Sequence, residues 1–190
     1  RRSPKSKQST GEISSTLPPE ILPNHNITIN KVSRQDWGEA PNCAEFYDRE
    51  TELSTLKNWI LEQRCQLVTV LGMGGMGKTA LSVKLAQQIQ GEFSGLIWRS
   101  LRNAPPIEKL LTELIQFLYN EQLTPVPKTV DEQISTLIQC LQNSRFLIIL
   151  DNVESILDSK KRAGSYREGY ERYGQLFRSI GDIGLRYKFA

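Results

Sequence analysis

Eight consecutive residues, Gly72-Met73-Gly74-Gly75-Met76-Gly77-Lys78-Thr79, have the types and spacing of a phosphate-binding loop. Glycines at 72, 74, 75 and 77 let the backbone curl until successive amide N–H groups point inward. A helix opening near Lys78 adds the positive end of its dipole. Lys78 supplies an ammonium for the β- and γ-phosphates, and the Thr79 hydroxyl supplies an oxygen for Mg²⁺. Met73, Met76 and Ala80 lie within or directly after the loop and count as part of the cradle. Further along, Leu147-Ile148-Ile149-Leu150-Asp151 sets a carboxylate at the end of an apolar run. That is the Walker B arrangement, in which Asp151 holds Mg²⁺ through water. The plainer reading of Asp151 is a turn or a helix cap.

Such a loop works only with a strand before it and a helix after it. Gln66–Leu71 (QLVTVL) is short, apolar and β-branched, which predicts the strand. Leu81, Leu85 and Ile89 recur at helical spacing and predict the helix over 78–90. Upstream, Leu53, Leu56 and Ile60 predict a helix that Asp48 can cap. Downstream come a strand at Leu96-Ile97-Trp98 and a helix after Pro105-Pro106 carrying Ile107, Leu110, Leu111, Leu114 and Leu118. Thr129 and Glu132 form a capping box before a helix with Ile134, Leu137, Ile138 and Leu141. Phe146–Leu150 reads as a strand buried on both faces, as in a parallel sheet. Tyr173, Leu176, Phe177 and Ile180 mark a last helix-like stretch. Strands alternating with helices give an α/β fold, a partial parallel sheet of P-loop NTPase type flanked by helices.

Residues 1–38 are rich in Ser, Pro, Asn and Lys without an apolar period, and read as a disordered tail or linker. The nucleotide-binding part is expected over 39–181, with an atypical end at 182–190. Of 190 residues, 38% are hydrophobic and 24% charged, ordinary for a globular chain. The net charge of +3 does not call for nucleic acid or membrane partners, and basic Arg1, Arg2, Lys5 and Lys7 read as a solvated tail. Aromatic–basic interleaving and a helix-turn-helix pattern are both missing, so nucleic acid is not expected as a partner. Three scattered cysteines argue against a disulfide framework or zinc knuckle, and a single histidine rules out a His-based triad within the chain. With no signal peptide and no membrane-length apolar run, the expected compartment is the cytoplasm. A chain that starts at Arg1 rather than Met reads as a piece of something longer.

Phe46-Tyr47-Asp48-Arg49-Glu50-Thr51-Glu52-Leu53, the loop itself, Phe93–Arg99 and Arg145–Ser155 (RFLIILDNVES) occur in one order. Together they resemble the NB-ARC domain of the STAND P-loop NTPases over roughly 36–181. The wording is closest to large bacterial, in particular cyanobacterial, regulators in which such a module precedes WD-type repeats. The resemblance implies a switch with an ADP-bound closed state and an ATP-bound state that oligomerises. It also implies downstream repeat or effector domains. In that family the segment matching 46–53 packs near adenine and ribose, which makes Arg49 and Glu50 candidates there. Their alternative is an exposed first helical turn.

Three departures stand out. Asp48 replaces a glycine the family usually shows. Asn152 stands where many members carry a second acid, and an amide cannot accept a proton as a carboxylate does. Glu154, two residues on, could reach the attacking water; its alternative is a surface acid. The chain also stops at Ala190, without the further strand and phosphate-sensing arginine the family continues into. That reads as a truncated chain or a gene remnant. The leading function is therefore an ADP- or ATP-binding, Mg²⁺-dependent signalling switch, with slow hydrolysis at most. The others are an active ATPase or P-loop kinase, with Arg49 or Arg99 offered to a neighbour, and a fragment that binds nothing.

Overall fold

The computed structural model describes residues 34–43, 46–122, 125–161 and 164–184. Its centre is a three-stranded, fully parallel sheet of β1 (Arg34–Asp36), β2 (Gly95–Ser100) and β3 (Phe146–Asp151), in the order β1-β2-β3. Around it lie α1 (Glu50–Lys57), α2 (Lys78–Ile89), α3 (Ile107–Leu118), α4 (Val130–Asn143) and α5 (Glu171–Gly181). A π turn, Asn58–Glu62, prolongs α1. The expected α/β class and the alternation of strand and helix are found.

The β2-to-β3 crossover is built by α3 and α4. Pro106 precedes α3, where a missing N–H costs nothing. Its Ile107, Leu110, Leu111, Leu114, Ile115 and Leu118 are all buried. At about 1.5–3 kcal/mol for each fully buried large aliphatic side chain, this stripe contributes substantially to the core. The capping box of α4 is complete: Thr129 accepts from the Glu132 N–H, and Glu132 accepts from the Thr129 N–H. Ile134, Leu137 and Cys140 carry α4 onto the same core, and burial pushes the Cys140 thiol up to about 11. Behind them, Tyr173 and Tyr170 tie α5 to the loop before α3 by donating to the carbonyls of Pro105 and Ala104. A second cluster joins α1 to α2 through Leu53, Leu56, Leu81, Leu85 and Ile89.

Three expectations are corrected. Gln66–Leu71 joins no strand of the sheet; Val68 and Val70 pack on the second cluster, while Leu71 is 86% exposed. High β-propensity expresses fit to a pleated surface and becomes a strand only where a neighbouring edge shares a ladder. For the same reason β3 is not buried on both faces. Phe146 is buried, but Leu147 to Asp151 are half-buried. Finally, residues 34–36, inside the segment read as a tail, form β1; the expectation for residues 1–33 lies outside the described residues. Three residues are too few for a legible alternation. β1 is held instead by long-range contacts: Arg34 donates to the Asn120 side chain and the Leu118 carbonyl, and sits 5.2 Å over the Phe117 ring.

Asp36 ends β1 in an ion pair with Arg99, whose guanidinium also binds Glu113. The hydrogen bond from Arg99 holds the Asp36 carboxyl below its ordinary range. A depressed folded pKa means that this contribution to stability is complete above the ordinary value of 3.8 and is lost as pH falls below it. Asp36→Asn is therefore expected to lower stability at neutral pH and to flatten this part of the acid limb, read as denaturation midpoint against pH. Leu114→Ala, at a site 1% exposed, is expected to cost about 2–5 kcal/mol in urea denaturation.

Candidate functional site

The parallel sheet directs its strand ends to one edge, the usual place for ligands in open α/β sheets. β2 and β3 are paired from Gly95↔Phe146 to Ser100↔Asp151, so Ser100 and Asp151 end level. The Leu101 N–H donates to the Asp151 carbonyl at 2.8 Å and locks that end. α2 opens beside it. The Thr79 hydroxyl donates to the Asp151 carboxylate, 3.0 Å from Oδ1 and 3.1 Å from Oδ2. The two expected metal-binding residues, 72 positions apart in sequence, are thus in direct contact.

The glycine loop stands exposed before α2, with Met73 77% and Met76 52% exposed. Gly75 and Gly77 have φ of +80° and +73°, a left-handed backbone that side chains disfavour. Gly77 is also the residue from which the first α2 hydrogen bond starts, its carbonyl accepting the Leu81 N–H at 2.9 Å. Lys78 folds its ammonium back over the loop, donating to the Gly72 carbonyl at 2.8 Å and the Met73 carbonyl at 3.1 Å. Its charge therefore lies against the backbone at the start of the loop.

Arg49 reaches the same loop. Its Nη1 donates to the Met76 carbonyl at 2.6 Å and its Nε pairs with Glu52 at 3.1 Å. Asp48 has φ +54°, a left-handed backbone that Asp tolerates better than most residues. Glu50 lies exposed in the first turn of α1, and Ala80 is half-buried in the first turn of α2. Glu154 is exposed in the short turn Val153–Ile156 after Asn152. Arg99 points the other way: half-buried, it is held by Asp36 and Glu113, whose hydrogen bonds outweigh the burial that opposes its charge and raise its pKa.

One pair escaped the sequence reading. Asn152, φ +57°, donates through Nδ2 to Ser100 Oγ at 3.1 Å and to Asp151 Oδ2 at 3.2 Å. Ser100 belongs to no motif the sequence reading used, and only the register shows that it meets Asn152.

For Mg²⁺ the donors fit: a hydroxyl and a carboxylate are the hard oxygens it prefers, with phosphate oxygens completing the set. Thr79 and Asp151 would hold it, Thr79 directly and Asp151 through water. A bound Mg²⁺ would offset phosphate charge; Lys78 and the loop amides would orient the phosphates.

A parallel sheet carrying this loop, lysine, hydroxyl and carboxylate at one edge defines a nucleotide-binding domain of P-loop NTPase type. The chain belongs to the NB-ARC family: the NB-ARC domain matches residues 49–163. Such domains are nucleotide-binding signalling modules of STAND type. An uncharacterized WD repeat-containing protein of Nostoc sp. (strain PCC 7120) is 51% identical over 157 residues, 77% of this chain and 12% of that protein. The disease resistance protein RPM1 of Arabidopsis thaliana is 31% identical over 94 residues, 46% of this chain and 10% of that one. An uncharacterized protein of Mycobacterium tuberculosis is 29% identical over 134 residues, 70% of this chain and 32% of its own length. The chain thus spans a small part of the relatives it matches. No solved structure matches it. Among the described residues, no helix is long and apolar enough to cross a membrane.

Gly77→Ala places a Cβ in a left-handed backbone, 3.3 Å from Arg49 Nη1. It is expected to destabilise the chain by about 1–2 kcal/mol, read by denaturant titration.

Proposed function

We propose that this chain holds ADP or ATP with Mg²⁺ as a state marker, in the manner of a STAND switch, and turns it over slowly if at all. The contact of Thr79 with Asp151, beside a glycine loop containing Lys78, carries this reading. The nucleotide part is assigned to 34–181, β1 included, with 1–33 as a linker and 182–190 as an atypical end. Lys78 and the backbone of Gly72–Ala80 take the phosphates; Thr79 and Asp151 take the metal. Arg49 serves the same pocket from the Met76 side of the loop. Glu50 is kept as a weaker candidate for the adenine and ribose end, since its side chain stays on the exposed face of α1.

Slow hydrolysis is supported by three features. The position after Asp151 is an amide already spent on hydrogen bonds, and Glu154 stands exposed one turn away. Arg99 is engaged by two carboxylates, so it is not available to a neighbouring molecule. The WD-repeat relative supports a parent protein that carries repeat domains beside this module; the proposed switch would pass its state to them, with an ATP-dependent oligomer as the active form. A cytoplasmic setting accords with that role.

Thermal melting with and without MgADP tests the proposal. Nucleotide at 100 times its dissociation constant is expected to add about 2.7 kcal/mol. Lys78→Ala is expected to abolish the shift. A folded sample with no shift would overturn the switch reading; a shift that survives in Lys78→Ala would overturn the phosphate assignment.

A further inference from the structure

Thr79 bonds both oxygens of Asp151 at nearly equal distance, 3.0 and 3.1 Å. A single hydrogen shared between two equivalent oxygens makes a weaker and less directional bond than a two-centre one, so Thr79 alone holds the carboxylate plane loosely. A second, one-sided donor narrows its rotation. Asn152 is that donor, bonding Oδ2 at 3.2 Å.

The direction of this bond is fixed by chemistry. An ionised carboxylate only accepts, so the amide must turn its NH₂ toward Asp151. The same nitrogen donates its other hydrogen to Ser100 Oγ, and Ser100 Oγ also accepts the Arg102 N–H at 3.3 Å. Ser100 itself is level with Asp151 across the β2–β3 register. The chain of bonds therefore runs from the backbone beyond β2, through Ser100 and Asn152, to one named oxygen of Asp151. An Asp at position 152 could donate to neither partner. Asn also tolerates the φ of +57° that swings its side chain back over the strand end.

We propose that Asn152 and Ser100 are positioning residues that orient Asp151 for Mg²⁺, so that the amide after the Walker B acid tunes the metal requirement of nucleotide binding. This rests on the nucleotide reading above. Outer-shell partners of metal-binding carboxylates are commonly worth about 10–100-fold in metal affinity. A partner acting through a water-bridged acid belongs at the lower end of that range.

The test uses the whole chain and a fluorescent ADP. Affinity is measured in excess chelator and then across a Mg²⁺ titration, for wild type, Asn152→Gly, Ser100→Ala and Ser100→Thr. Glycine at 152 keeps the left-handed backbone and deletes only the clamp, which guards against a folding artefact. Asn152→Gly and Ser100→Ala are each expected to raise the half-saturating Mg²⁺ by about tenfold. ADP affinity in chelator stays at the wild-type value. Ser100→Thr, which keeps the hydroxyl, restores the wild-type Mg²⁺ requirement, and the double variant that combines Asn152→Gly with Ser100→Ala is no worse than the weaker-binding single one. An unchanged Mg²⁺ requirement in Asn152→Gly overturns the proposal, as does an equal loss of affinity with and without metal. Wild type that binds no ADP under any condition would instead remove the nucleotide reading on which it rests.

Discussion

The parallel pairing of β2 with β3 is the constraint on which the site depends. Six ladder positions in register bring Ser100 level with Asp151, and the Leu101 N–H closes the pair on the Asp151 carbonyl. A slip of one residue would turn every side chain of the slipped strand to the other face. It would carry Asp151 away from Thr79 and Ser100 away from Asn152. The crossover supports this register: α3 and α4 bury one continuous apolar cluster with Ile97, Phe146 and Ile156. The phosphate loop contributes little to its own placement. It is exposed, and α1 and α2 anchor it from behind.

Charge is distributed along the same edge with distinct tasks. Lys78 and Arg49 spend their donors on carbonyls of the loop, so two cations lie on the backbone that would meet phosphate. Arg99, one residue from Ser100, is consumed by Asp36 and Glu113 and ties β1 and α3 to β2 instead. Cations of similar type thus divide into binding and bracing roles according to which acids lie within reach. Asn152 makes a comparable choice. Where a carboxylate would add acid–base capacity, an amide adds two donors, and the strand end gains a fixed orientation at the expense of a base.

Legibility followed range. The capping box at Thr129 and Glu132, the proline start of α3 and the glycines at 75 and 77 are local devices, and each is realised where its residues stand. The strand expected at 66–71 is not, because β-branched residues describe a surface that suits pairing but cannot supply the partner edge. β1 went unread for the converse reason: three residues show no period, and their hold comes from Asn120, Leu118 and Arg99, all far along the chain.

By itself the sequence determined the chemistry on offer: a loop able to curl around phosphate, an ammonium, a hydroxyl, one carboxylate and an amide after it. It also determined the alternation of elements, since apolar spacing and capping act within a few residues. Tertiary structure decided who meets whom. Thr79 touches Asp151, Arg49 reaches Met76, Arg99 is withdrawn, and Ser100 joins Asn152. Each of these contacts depends on sheet register and helix packing, which arise from the burial of the whole apolar set and belong to no short stretch of chain.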